Sequence, residues 1–402
     1  GYVFMDQMVE ALKQKYPQTD NNICRIKSPL RICPFGAHVD HQLGLIAGMA
    51  LDNAIDMVYA PNSDGYVKVQ SLDFPDEEYF HLDQVPAMVP GFWGNYLRGA
   101  VLALKKEFVL KKGVNALVSG KHPIGGLSSS AAVTTAYLLA LCDVNEIKPA
   151  PLDLINYSHW VERNFIGLNN GILDRAINVL SRNGFLTVMD TQTKNFQLIK
   201  KAEAIPPFEV VVVYSGVSKA LIGTDYNNRV DECKVAASIL RELAGLPVIS
   251  LSKTYLRDID VEIYQRFKKD LPGRFRRRAE HFFSENDRVK QGSSAWGKGD
   301  LAKFGSLMFE SGESSIKNYE CGCSELILIY NILKKTPGVY GARFSGAGYR
   351  GCCIGLIDPA YKDSIKATID DQYLKEYPEY RGRYQVNFAK TGDGAQILSR
   401  SL

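Results

Sequence analysis

The sequence has no run of the roughly 18–20 apolar residues that a membrane-spanning helix needs, and no internal repeat or low-complexity tract. No CxxC pair occurs among its eight cysteines, at positions 24, 33, 142, 233, 321, 323, 352 and 353. Cys321-x-Cys323 and the adjacent Cys352-Cys353 lack zinc-ligand spacing. Scattered thiols with mostly apolar neighbours suit a reducing compartment. A strong charge of either sign is missing as well. The formal net charge is +4 over 402 residues, too slight to argue for a nucleic-acid partner. The densest basic run, Arg274-Phe275-Arg276-Arg277-Arg278, reads as a solvated helix face. Gly1 to Asp6 carry neither a basic nor a hydrophobic region, so no export signal is visible and cytoplasm is the expected location. A chain that starts at Gly1 can nevertheless have lost a leader. No GxxxxGK[ST] is present, which leaves out a Walker-type nucleotide loop.

What is there is the composition of a soluble globular protein, 46% apolar and 23% charged. The length exceeds one typical domain, so two domains sharing a cleft are expected. Phe4, Met8, Ala11 and Leu12 have helical spacing. Cys24–Lys27 and Ile55–Tyr59 read as strands, and Pro34–His41 between them is too polar for a core strand. Asn95–Leu104 and Leu152–Phe165 read as helices. Ala131–Leu141 is apolar nearly all round, the mark of a buried helix. Phe208–Tyr214 is a β-branched and aromatic run, the pattern of a buried strand. It follows Ile205-Pro206-Pro207, which places a domain boundary there, with domains at 1–205 and 206–402. From there to Leu333 the pattern is mainly helical, including Ala279–Arg288 and Leu301–Phe309. Strands and helices interleave without regular βαβ spacing, so the expected class is α+β.

Pro123–Ala132 (PIGGLSSSAA) is the segment with the clearest chemistry. Gly125 and Gly126 let the backbone approach a ligand where a Cβ would collide. Ser128, Ser129 and Ser130 supply hydroxyls and free N–H groups at the mouth of a helix, an anion site by geometry and by dipole. A plain glycine-rich turn capping a core helix is the competing reading of this segment alone.

Four segments together resemble the GHMP kinases, the small-molecule kinases named for galactokinase, homoserine, mevalonate and phosphomevalonate kinases. PIGGLSSSAA is similar to their P-x-G-x-G-L-x-S-S-A phosphate loop. Ser28–Gly44 (SPLRICPFGAHVDHQLG), Glu162–Asp174 (ERNFIGLNNGILD) and Val339–Gly351 (VYGARFSGAGYRG) resemble three signatures of the galactokinase branch, in the same order. The likeness runs from about Arg25 to Gly392-Asp393-Gly394-Ala395. It implies a two-domain α+β fold with the active site in the cleft, binding ATP, Mg²⁺ and a sugar or uronic acid. A monomer or homodimer is expected, without nucleic acid or membrane.

Position by position, the resemblance makes Asp174 the catalytic aspartate and Arg31 the arginine beside it. A carboxylate can accept the proton of a sugar hydroxyl as the phosphoryl group arrives, and a guanidinium can orient it. Ser130 and Glu162 match the Mg²⁺ ligands, oxygen donors of the kind that ion prefers. Gly125, Gly126, Leu127, Ser128, Ser129, Ser130 and Ala131 form the phosphate loop. Gly346 and Gly348 resemble the glycine loop at the nucleotide end, where Ala347 replaces a usual glycine. Trp93 and Tyr96 occupy the segment in which the family stacks adenine, although core packing explains each nearly as well. His38, Asp40, Gly171 and Tyr226 match positions that contact the sugar.

One departure stands out. The family's G-E-H-T-D-Y is here Gly36-Ala37-His38-Val39-Asp40-His41, so the glutamate that accepts from a 6-hydroxyl is lost. If C6 is a carboxylate, Ala37 removes a like charge and makes room. With Asn318–Gly322 (NYECG), this pattern resembles the galacturonokinases, which phosphorylate the anomeric hydroxyl of D-galacturonate. Neutral drift in a galactokinase is the alternative, and a non-catalytic sugar and ATP sensor a more distant one. Arg350 and His41 are candidates to meet a uronate carboxylate, from motif proximity only.

Overall fold

The computed structural model of the protein describes residues 2–19, 22–120, 129–217, 225–346, 348 and 351–400. The chain opens with helix α1 (Tyr2–Lys15) and strands β1 (Cys24–Ile32), β2 (Leu45–Asn62), β3 (Tyr66–Ser71) and β4 (Glu77–His81). Helix α2 (Asn95–Lys105), strand β5 (Gly113–Ser119) and helices α3 (Ser129–Val144), α4 (Pro151–Trp160) and α5 (Leu173–Leu180) follow. Strands β6 (Phe185–Asp190) and β7 (Phe196–Lys200) close the first half. The second half runs through β8 (Glu209–Tyr214), α6 (Tyr226–Leu243), α7 (Val261–Phe267), α8 (Gly273–Lys298), α9 (Leu301–Ser314) and α10 (Ser324–Lys335). It ends with β9 (Val339–Phe344), β10 (Cys352–Ile357), α11 (Lys362–Glu376), β11 (Gln385–Ala389), β12 (Thr391–Gly392) and β13 (Gln396–Arg400).

Among the described residues these strands form a nine-stranded sheet, with the path β13-β1-β2-β5-β3-β4, β6 and β12 joined at β2 and β7 joined at β6, and a four-stranded sheet β11-β8-β10-β9. Among the described residues only β3 and β5 pair in parallel. The class is α+β, as the irregular spacing of elements predicts. The last strands do not stay with the second half: β12 pairs with β2 and β13 with β1. A division into 1–205 and 206–402 therefore leaves these tail strands in the sheet of the first half.

Burial explains the elements that the pattern made visible. In β8, Val210 and Val212 pack into one hydrophobic core and Val211 and Val213 into another. A period of two thus puts a core on each face of the smaller sheet. Helix α3 is buried over most of its length, from Ala131 and Ala132 to Leu141 and Cys142. Two features overturn or extend the local reading. β1 continues through Pro29 because the ladder with β2 shifts between Pro29 and Arg31, and a bulge tolerates the missing donor. Arg278 is not on a solvated face; it is buried and pairs with Glu232 at 2.6 Å and Glu320 at 2.9 Å.

The polar loop after β1 is buried from Cys33 to Val39, covered by α8. Leu45 N–H donates to Asn286 Oδ1 at 2.9 Å, and Phe35 sits against Gly292 and edge-on to Phe304 at 4.9 Å. Gly36 has φ +82° and its missing Cβ would lie 2.9 Å from Ile46 Cα, so only glycine fits that turn. A Cβ on Gly292 would stand 2.0 Å from the Phe35 ring. Gly292→Ala should gain about 1 kcal/mol in helix propensity but lose roughly 1–3 kcal/mol to overpacking. Net destabilisation, read as a lower urea midpoint, is expected; an unchanged or higher midpoint would show that Phe35 can move aside.

Candidate active site

A cavity of about 1140 Å³ lies between residues of the two halves. Its first-half wall includes Arg31, Cys33, Ala37, His38, Asp40, Ser130, Glu162 and Asp174, and Tyr226, Arg343, Gly346 and Gly348 complete it from the second half. Arg31 reaches it from β1, only 2% exposed. Its Nε and Nη2 both donate to Asp174 Oδ1, at 2.8 and 2.6 Å, and its Nη1 donates to Ser345 Oγ at 3.1 Å. Desolvation of a buried guanidinium is offset by that carboxylate. Asp174 opens α5 and keeps 28% of its side chain exposed. Next to it, burial pushes the Cys33 thiol up to about 12, so it is no nucleophile at neutral pH.

Asp40 turns back on the start of α5. Its Oδ2 accepts Leu173 N–H at 2.9 Å and its Oδ1 accepts His41 N–H at 3.1 Å. Burial raises its pKa, against the pull of those N–H groups. A Cβ on Gly171 would lie 2.3 Å from the Asp40 carboxyl, so glycine there is what lets the carboxylate reach the cavity. Tyr226 begins α6; burial holds its phenol well above the usual range, with the Asp40 and Asp174 charges adding. It is therefore a phenol and not a phenolate.

Glu162 lies in a π-helical turn, Val161–Ile166, that extends α4. Such a turn re-aims side chains and is frequent at functional sites. Arg175 Nη2 meets Glu162 Oε2 at 2.9 Å, yet burial still leaves this carboxyl raised. Ser129 and Ser130 start α3 half-buried, whereas Ala131 is fully buried and adds no side chain to the wall. At the far end Phe74, Pro75, Met88, Pro90, Phe92, Trp93 and Tyr96 make an apolar slot. Trp93 is half-buried there and donates its indole N–H to the Pro75 carbonyl at 3.1 Å. Gly346 and Gly348 have φ +75° and +85°. Gly125, Gly126, Leu127 and Ser128, with Ala347 and Arg350, lie outside the described residues.

The family model described as "GHMP kinases N terminal domain" matches residues 95–182, and that described as "GHMP kinases C terminal" matches 294–375. Galacturonokinase of Arabidopsis thaliana is 38% identical over 418 aligned positions, covering 98% of each chain. The chain belongs to the GHMP kinases. Galactokinase of Roseiflexus sp. (strain RS-1) is 31% identical over 87% of each chain. The fold superposes on Lactococcus lactis galactokinase complexed with galactose at a TM-score of 0.88, with 26% identity over 98% of this chain and 100% of that one.

Within this GHMP kinase, the cavity thus brings together Asp174, Arg31, Ala37, His38, Asp40, Gly171, Tyr226, Ser129, Ser130, Glu162, Trp93, Gly346 and Gly348. Arg175, the partner of Glu162, carries no local mark of that role, although it directly follows Asp174. His41 is not a cation for a carboxylate: its ring nitrogens meet Tyr319 Oη and Gln42 Nε2, each at 3.1 Å. His281 and Glu285 of α8 also went unnoticed, because nothing local ties them to residue 37, more than 240 positions away.

His38, at φ +58°, stacks on Tyr319 with ring centroids 4.2 Å apart, and His281 lies 5.9 Å from it. Burial holds all three imidazoles neutral: His38 well below 6.5, His41 pushed down to about 3, and His281 to about 4 despite Glu285. Unfolded histidine titrates near 6.5, so between that pH and about 4 the unfolded chain takes up protons that the fold refuses. Stability should then fall on acidification, by about 1.4 kcal/mol per pH unit for each such histidine. The urea midpoint is expected to drop steadily from pH 7 to pH 5, less steeply in His281→Gln. A flat midpoint across that range would contradict neutral burial.

Proposed function

We propose that this GHMP kinase transfers the γ-phosphoryl group of ATP to the anomeric oxygen of D-galacturonate, giving galacturonate 1-phosphate and ADP. The observation that carries the substrate is Ala37, which lines the cavity beside His38 where the galactokinase pattern has glutamate. A glutamate there and a 6-carboxylate about 4 Å apart would repel by roughly 1–4 kcal/mol, a tenfold to thousandfold penalty. The name of the Arabidopsis relative supports the same choice.

Asp174 is the group at the reacting hydroxyl. Arg31 holds one of its oxygens with two donors, which fixes the carboxylate's direction. Asp40 and Tyr226 face the sugar, the first as acceptor for ring hydroxyls and the second as donor. The α3 N-terminus, with Ser129 and Ser130, receives the phosphates, and the slot around Trp93 suits a flat base.

Mg²⁺ fits the donor set. Ser130 and Glu162 both line the cavity, and a hydroxyl and a carboxylate leave room for phosphate oxygens and water. Among the described residues no group of three or more His, Cys, Asp or Glu could cage a metal. When bound, the ion would neutralise phosphate charge; Arg175 keeps Glu162 aimed at it. We place the domain division near 205/206, with the tail strands returning to the first sheet, and the enzyme in the cytoplasm, in keeping with its free cysteines. Among the described residues no helix is long and apolar enough to cross a membrane.

Asp174→Asn should bind ATP nearly as well as the parent and lose turnover by orders of magnitude; retention of most of kcat would remove the aspartate from the chemistry. Initial rates on galacturonate, glucuronate and galactose test the substrate. Galacturonate should be preferred, and Ala37→Glu should move activity towards galactose. A strong preference of the parent for galactose would make it a galactokinase instead.

A further inference from the structure

Rested on the uronate reading, the structure also says what answers the substrate's carboxylate. Both backbone polar groups of Ala37 are held by one face of α8. His281 Nε2 donates to Ala37 O at 2.8 Å, and Ala37 N–H donates to Glu285 Oε2 at 3.1 Å. Residues four apart on a helix share a face, so residue 37 is pinned against a buried carboxylate.

That carboxylate has two cations, not one. Arg288 Nε lies 2.6 Å from Glu285 Oε1, and Arg343 Nη1 lies 3.7 Å from Oε2. Ser311 Oγ donates to Oε2 at 2.6 Å and takes a bond from Arg343. Arg343 also donates to the Phe344 carbonyl at 2.8 Å and to Ser315 Oγ at 3.3 Å. Among the described residues neither arginine has a second carboxylate. Glu285 is fully buried and Arg343 is 1% exposed. The layer behind Ala37 therefore carries a surplus of one positive charge.

The other charged side chains that line the cavity among the described residues are the Arg31–Asp174 pair, Glu162, and the acids Asp40, Asp73 and Asp76. Arg31 is matched by Asp174 and Arg175 by Glu162. Asp40 lies across the loop with its oxygens on Leu173 and His41 N–H groups. His38, His41 and His281 are neutral. Among the described lining residues the guanidiniums are those of Arg31 and Arg343.

We propose that Arg343, sharing Glu285 with Arg288, is the countercharge that recognises the 6-carboxylate of a uronate seated at Ala37. The ligand brings the acid that residue 37 lacks, and the surplus charge behind the loop selects it over a neutral hexose. Arg343 faces the cavity; Arg288 acts through Glu285 as a positioning and charge-balancing residue.

Steady-state kinetics of the full chain test this. Arg288→Gln removes the surplus, and one unit charge in that layer is worth roughly tenfold in affinity for a singly charged ligand. KM for galacturonate should rise by about that factor, while kcat, KM for ATP and the inhibition constant of galactose hold. Arg343→Lys, which keeps the charge, should bind galacturonate better than Arg343→Met. Arg288→Gln decides the matter if Arg343→Met does not fold. An unchanged KM for galacturonate, or an equal weakening of galactose, overturns the countercharge. A parent protein that leaves galacturonate unphosphorylated sinks the substrate reading and the countercharge together; one that phosphorylates it while Arg288→Gln keeps its KM sinks the countercharge alone.

Discussion

Burying the polar loop between β1 and β2 obliges the rest of the chain to answer its backbone groups. An unpaired N–H or C=O in the interior costs about 1–3 kcal/mol, and this loop is buried from Cys33 to Val39. Helix α8 supplies the answers, with His281, Glu285 and Asn286 at Ala37 and Leu45, and with Gly292 yielding space to Phe35. Because α8 belongs to the second half, the wall of the cavity around Ala37 exists only when both halves are assembled. The return of β12 and β13 to the first sheet ties the two halves a second time.

Inside the cavity, carboxylates and guanidiniums are arranged by pairs. Arg31 steadies Asp174, Arg175 steadies Glu162, and Glu285 is shared by Arg288 and Arg343. Burial works against the charged forms of Glu162 and Glu285, and their guanidinium partners work the other way. Two of these acids face the cavity and the third stands behind the loop, so the same device serves the cavity wall in front and the backbone behind. Gly171 is the steric counterpart: by having no side chain it lets Asp40 occupy the angle between the loop and α5.

Much of this was legible locally. The four valines of β8 and the all-apolar face of α3 announce burial because periodicity follows directly from which sides face a core. Arg31, Asp174, Glu162 and Tyr226 were found through motifs, and the structure gathers them around one cavity. What was not legible depends on contacts distant in sequence. Arg278 sits in a basic run, and only Glu232 and Glu320 across the fold turn it into a buried ion-pair residue. His41 looks available in its motif, but Tyr319 and Gln42 occupy its ring. The π-helical turns holding Glu162 and Tyr319 shift side chains by a fraction of a turn, which no helical periodicity discloses.

On the proposed reading, the position of Ala37 lets a kinase of this kind change its acceptor without rebuilding its catalytic groups. On the same reading, Arg31, Asp174 and Glu162 act at the anomeric end and at the phosphates, and the bonds that hold residue 37 come from α8 instead. Its backbone is fixed by His281 and Glu285 whatever its side chain is. Only the side chain is free to vary, and it lines the same cavity as Arg343. A carboxylate at that point can belong to the protein or to the ligand, but not to both, since two would compete for one surplus charge. On that reading, the choice between a neutral hexose and its uronate is a question of which molecule carries the acid.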